Sequence, residues 1–104
     1  MKRYRGTLDI IADILQVADE KAKKTHIMHR ANLSYPVLMR YLIEVTQASL
    51  VCFNTSEQCY TLTQKGREYL DSYEEYARTS EKMKQCLEDA ENQKNILERL
   101  CSKK

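Results

Sequence analysis

Residues 23–50, KKTHIMHRANLSYPVLMRYLIEVTQASL, constrain this chain more than any other stretch. Two short amphipathic runs meet at Asn32-Leu33-Ser34, which leaves room only for a tight turn between two helices. Thr25 is a suitable N-cap for the first run, THIMHRA, whose Ile27, Met28 and Ala31 can pack inward. Asn32 tolerates the left-handed conformation that ends a helix, and Leu33 plugs the gap behind it. Ser34 caps the second run, residues 34–48. Pro36 in its first turn loses no hydrogen bond, because those amides have no intrahelical partner. Leu38, Tyr41, Leu42 and Val45 form the inner stripe of this second helix.

The flanks fit the same plan. In residues 7–19, Leu8, Ile11, Ile14 and Leu15 share a face, with Ile10 and Ala18 beside it. Asp9 and Asp13 lie opposite, so this is a helix ending between residues 19 and 22. Residues 50–53 and 59–62 read as strands joined by the polar turn 54–58. Thr63 caps a last helix, and Gly66 permits a close approach to the strands. From Tyr69 a heptad is readable: Tyr73, Ser80, Leu87, Lys94 and Cys101 at a, and Tyr69, Tyr76, Met83, Ala90 and Leu97 at d. Ser80, Ala90, Lys94 and Cys101 are small or polar, so the spacing predicts a two-stranded coiled coil of modest strength. The expected fold is mostly α with a small β-hairpin wing. It is a winged helix-turn-helix over residues 1–63, followed by a long dimerisation helix over 64–104.

A chain of 104 residues can bury one small core, and 31% charged residues imply that part of it is extended and solvated. The net charge of +2 says little, but its distribution says more. Residues 6–20 carry four acids, residues 21–45 carry five bases against Glu44, and 64–104 is balanced. Positive charge therefore collects where the helix-turn-helix lies, as a DNA footprint requires. No apolar run approaches the ~20 residues that span a bilayer, and no signal peptide is visible. The expected setting is cytoplasmic and nucleoid-associated.

Enzyme chemistry finds no support. There is no nucleophile–base constellation or phosphate loop, and two glycines are too few to cradle phosphate. Cys52, Cys59, Cys86 and Cys101 lack the close pairs of a zinc site, so free thiols are the default. A Cys52–Cys59 cross-strand disulfide is an alternative in a hyperthermophile, and an interchain bond from Cys86 or Cys101 is another. His26 and His29 have metal-compatible spacing but no third ligand nearby, so no metal and no cofactor are expected.

The stretches LDIIADIL, AKKTHIMHRANLSYPVLMRYL and YTLTQKGREYL resemble the archaeal small winged-helix DNA-binding family of transcription regulators and nucleoid proteins. The resemblance covers residues 7–76 and is most specific in the middle stretch. It implies a homodimer joined through the C-terminal helix, with some members of the family pairing as an antiparallel coiled coil. It also implies that helix 34–48 enters the major groove of double-stranded DNA.

On the residues themselves, Arg40 is the best candidate for a base or phosphate contact. Ser34 and Tyr35 can reach phosphate, Pro36 leads the outer face, Met39 can touch a thymine methyl, and Ile43 lies further along. Lys23, Lys24 and Thr25 open the preceding helix where phosphate is favoured, and Arg30 follows on it. Lys2, Arg3 and Arg5 form either an arm along the DNA or a tail without a role. Tyr73, Tyr76, Met83, Leu87, Ala90 and Leu97 are the candidate dimer contacts. The wing departs from the family pattern, because turn 54–58 has no Lys or Arg and contains Glu57. A protein-interaction module that uses the winged helix without DNA is the alternative function.

Overall fold

The computed structural model describes residues 5–102. Its elements are α1 (Thr7–Ala18), α2 (Lys24–Arg30), α3 (Tyr35–Gln47), β1 (Val51–Asn54), β2 (Cys59–Leu62) and α4 (Gln64–Leu100). The chain divides into two compact units, one reaching to Tyr73 and one starting at Glu74. The helices, the single hairpin and the long last helix are those expected from the sequence.

In the first unit, α1 packs on α2 and β2, and α3 packs on β1. The core they enclose includes Ile14, Leu15, Ile27, Leu38, Leu42 and Val45, all fully buried. The α3 stripe is as the spacing predicts: Leu38, Tyr41, Leu42 and Val45 are its buried residues. The α1 face is different, because Leu8 is exposed and Ala12 is buried instead. Leu8 stands in the first turn at the rim of the core, whereas Ala12 is small enough to lie under close neighbours.

The C-terminal ends of α2 and α3 use one device. Asn32 and Ser49 adopt positive φ, at 56° and 64°. After α2, Leu33 N–H donates to Met28 O and Asn32 N–H to His29 O. After α3, Leu50 N–H donates to Val45 O and Ser49 N–H to Thr46 O. These are Schellman closures, with Asn and Ser at the position glycine usually holds. Leu33 is half-buried against the core, so it does plug the turn.

The start of α2 departs from expectation. Its N-cap is Lys23, without a side-chain cap, and Thr25 lies inside the helix. A pairing remote in sequence lies just before it. Ala22 forms an isolated antiparallel bridge with Tyr60, each backbone N–H donating to the other's carbonyl, at 3.0 and 2.8 Å. That bridge ties the approach to α2 to the outer edge of β2.

Arg5 also differs from both readings of the N-terminal basic residues. Its guanidinium donates to Asp13 Oδ2 at 2.8 Å, to Ala31 O at 2.7 Å and to Asn32 O at 3.0 Å. It therefore caps the carbonyl end of α2, where a cation is favoured by the helix dipole. Lys2 and Arg3 lie outside the described residues. At the start of α1, Asp9 Oδ2 accepts the Gly6 N–H at 2.9 Å, which is one half of a capping box.

The first turns of α4 belong to this unit. Thr63 Oγ1 accepts the Gly66 N–H at 3.0 Å and donates to Ser49 O at 2.6 Å, so Thr63 caps α4 as expected. Leu70 is buried, Arg67 pairs with Asp19, and Tyr73 donates its phenol proton to Asp9 Oδ1. Tyr69 donates to Leu8 O at 3.0 Å and stacks on Tyr73 with ring centroids 6.4 Å apart.

Burial raises the Tyr69 pKa above its ordinary value near 10, and the Asp9 charge adds to the shift. The unfolded chain therefore loses this proton first as pH rises, and stability falls above about pH 10. Tyr69→Phe is expected to flatten that alkaline loss, measured as the urea midpoint between pH 8 and 11. An unchanged slope would remove Tyr69 from the account.

In the hairpin, Val51 pairs with Leu62, Cys52 with Thr61, Phe53 with Tyr60 and Asn54 with Cys59. Cys52 and Cys59 are thus diagonal rather than opposite, and all four cysteines are free thiols. Beyond Tyr73, all described residues of α4 are exposed except the half-buried Ala77. No described helix is long and apolar enough to cross a membrane.

Candidate nucleic-acid interface

The outer face of α3 follows from its inner one. With Leu38, Tyr41, Leu42 and Val45 committed to the core, Pro36, Arg40, Ile43, Glu44 and Gln47 point the other way. All five are exposed. Arg40 holds its guanidinium over the Tyr41 ring at 5.5 Å from the centroid, which orients the charge without neutralising it.

Tyr35 at the head of α3 is also exposed, and the Lys24 ammonium sits 5.8 Å from its ring centroid. This contact joins the start of α2 to the start of α3. Lys23, Thr25, Ser34 and Pro36 are exposed around it. The structure thus brings Lys23, Lys24, Thr25, Ser34, Tyr35 and Pro36 into one region that Arg40 continues along α3.

Two expected site residues are placed differently. Met39 is half-buried and packs against the core cluster, because its position lies on the flank of the inner stripe. Arg30 lies at the far end of α2 and shares a recess with Arg5, Asp13, Gln16 and Asn32. Conversely, Glu44 and Gln47 also lie on the outer face, where the helical period places them one turn after Arg40 and Ile43.

Between Glu20 and Glu44 the chain contains no acidic residue, while it contains Lys21, Lys23, Lys24, Arg30 and Arg40. Lys21 is drawn away from this set. It adopts a positive φ and pairs with Glu57 in the hairpin turn at 3.2 Å. Hydrogen bonding and charge attraction from Lys21 lower the Glu57 pKa. Asn54 Oδ1 accepts the Ser56 and Glu57 amides at 2.8 and 3.1 Å, which shapes the turn. Burial, with the Glu57 carboxylate beside it, raises the Cys59 thiol pKa and keeps that thiol protonated and unreactive. His26 and His29 are exposed, and the described residues hold no cluster of three metal-ligating side chains.

Residues 4–81 match the family model for the winged helix-turn-helix. The chain belongs to the winged helix-turn-helix family. Among solved structures, Sso10a-2 of Sulfolobus solfataricus, a DNA-binding protein, is similar with a TM-score of 0.74 at 24% identity, over 96% of this chain and 100% of that one. One variant of ZitR from Lactococcus lactis gives 0.55 at 14% identity, over 96% of this chain and 75% of its own. A second ZitR variant gives 0.51 at 17% identity, over 96% and 77%. At these identities the likeness is one of fold. No curated protein matches the chain.

The second unit carries a different surface. Tyr76, Met83, Leu87 and Leu97 are exposed large apolar residues, with Leu87 at 70%. Ala90 lies in the same series and is exposed. Tyr73, the first residue of the expected dimer set, lies in the other unit with its hydroxyl on Asp9. Ile96 and Leu100 are further exposed apolar residues that the heptad omits.

Proposed function

We propose that this chain is a duplex DNA-binding protein, a transcription regulator or nucleoid-organising protein that acts as a homodimer. The carrying observation is the exposed leading face of α3, with Lys23, Lys24 and Arg40 beside it in a stretch, 21–43, that holds no acid. A helix of this kind fits the major groove, about 12 Å wide, and cations beside it hold the phosphates. In this reading Arg40 meets base edges or phosphate, and Lys23 and Lys24 act as point charges on the backbone. Thr25, Ser34 and Tyr35 add hydroxyl contacts, and Pro36 leads α3 into the groove. The hairpin turn lacks Lys and Arg, so the wing contributes little phosphate binding. The DNA-binding character of Sso10a-2 adds support.

The dimer reading rests on the apolar series from Tyr76 to Leu97. Residues 3.5 apart on average, repeated along a solvated helix, bury themselves by pairing with a second copy. Met83, Leu87 and Ala90 lie at its centre.

Fluorescence anisotropy of a random 30-base-pair duplex at several salt concentrations tests the DNA reading. Micromolar or tighter binding is expected, falling steeply as salt rises. The double variant Lys23→Ala, Lys24→Ala is expected to weaken binding on all sequences. It should also lower the slope of log K against log salt by about 2, since each lost phosphate contact removes about 0.9. Absence of binding even at low salt would overturn the DNA reading and favour a protein-interaction module.

A further inference from the structure

The outer face of α3 divides into two chemically different halves. Its leading half joins the basic region through Lys24 and Tyr35. Its trailing half, after Arg40, has no Lys or Arg and carries Glu44. A carboxylate is repelled by the phosphate backbone, so this half is unsuited to backbone contact. Its residue types suit base edges instead: an aliphatic group for the thymine methyl, an amide for adenine, a carboxylate for the cytosine amino group.

The structure also lines these residues up. Arg40, Ile43 and Gln47 succeed one another at spacings of three and four, which sets them on one ridge. All three are exposed, Ile43 to 53%. A lone exposed isoleucine means little. One centred between an oriented guanidinium and a primary amide, on the face turned away from the core, has the character of a reading surface. Met39, the residue suggested for methyl contact by its position in the sequence, is instead packed against the core.

We propose that Arg40, Ile43 and Gln47 determine DNA sequence preference, an inference that rests on the DNA-binding reading above. Arg40 pairs with guanine O6 and N7, Ile43 packs on a thymine methyl, and Gln47 pairs with adenine N6 and N7. Seven residues of helix span about 10 Å, or about three base-pair steps of 3.4 Å. The chain therefore prefers a short core of about four base pairs that contains one G·C pair and two A·T pairs.

The test is selection from a randomised 30-base-pair duplex library with the full-length chain, followed by anisotropy on the selected and random duplexes. The wild-type chain is expected to enrich such a core. Gln47→Ala and Ile43→Ala each lose preference at one position, weakening the selected duplex by about 5- to 150-fold. Their affinity for random duplex and its salt slope stay at wild-type values, which separates lost reading from lost folding or lost phosphate contact. Salt-dependent binding without an enriched motif would overturn this inference and leave the DNA reading standing. So would an enriched motif that both variants keep unchanged. No binding to any duplex would overturn the two together.

Discussion

Gly66→Ala is expected to destabilise the first unit by about 2–3 kcal/mol, the upper part of the usual cost of a forced overpacking in a close-packed core. A Cβ at Gly66 would overlap the carbonyl oxygen of Leu50 and lie 2.5 Å from Cδ1 of Leu62. The Leu62 side chain can turn aside, but the Leu50 carbonyl is held by the Thr63 N–H, which it accepts at 3.2 Å. On helix propensity alone the substitution should stabilise by about 1 kcal/mol. The sign of the result therefore tells which effect wins. A fall in Tm of roughly 10 °C or more, for a unit of this size, is the outcome that the packing predicts. A rise would mean that α4 can move off β1 without cost, and the tight corner would lose its role.

The second large effect concerns the apolar series of the long helix. Sedimentation equilibrium of the wild-type chain is expected to give twice the chain mass of 12.2 kDa. The triple variant Met83→Glu, Leu87→Glu, Leu97→Glu is expected to give the single mass. These side chains are already exposed in one chain, so the first unit should melt as before. What changes is the pairing of two helices, where three carboxylates would face one another in place of an apolar seam. Affinity for a 30-base-pair duplex should then fall by about 10²-fold or more, because two linked reading heads bind far more tightly than one. A wild-type chain that stays monomeric at high concentration would sink the dimer reading. A monomeric variant with undiminished DNA affinity would show that one head suffices.

The same helix shows where reading along the chain works and where it stops. The heptad from Tyr76 to Leu97 is a property of spacing, and every large apolar residue in it is exposed in the single chain. Tyr69 and Tyr73 share that spacing, yet they meet Leu8 and Asp9 of α1. Nothing in a local window distinguishes the two groups. Only the docking of α4 on α1 does.

Helical period and turn chemistry act over a few residues, so the sequence by itself determined four helices, the hairpin and the buried stripe of α3. It also determined the left-handed turn at Asn32, the Thr63 cap and the acid-free stretch 21–43. The tertiary structure decided what depends on meetings between distant residues. The Ala22–Tyr60 bridge tied the approach to α2 to the hairpin. Arg5 became a cap on the carbonyls of Ala31 and Asn32 rather than a free cation. Lys21 was bound to Glu57, Met39 turned to the core, and Ile43 and Gln47 were left outward beside Arg40. Such pairings cost chain entropy and are repaid only by the assembled core, so no short stretch of sequence carries their signal.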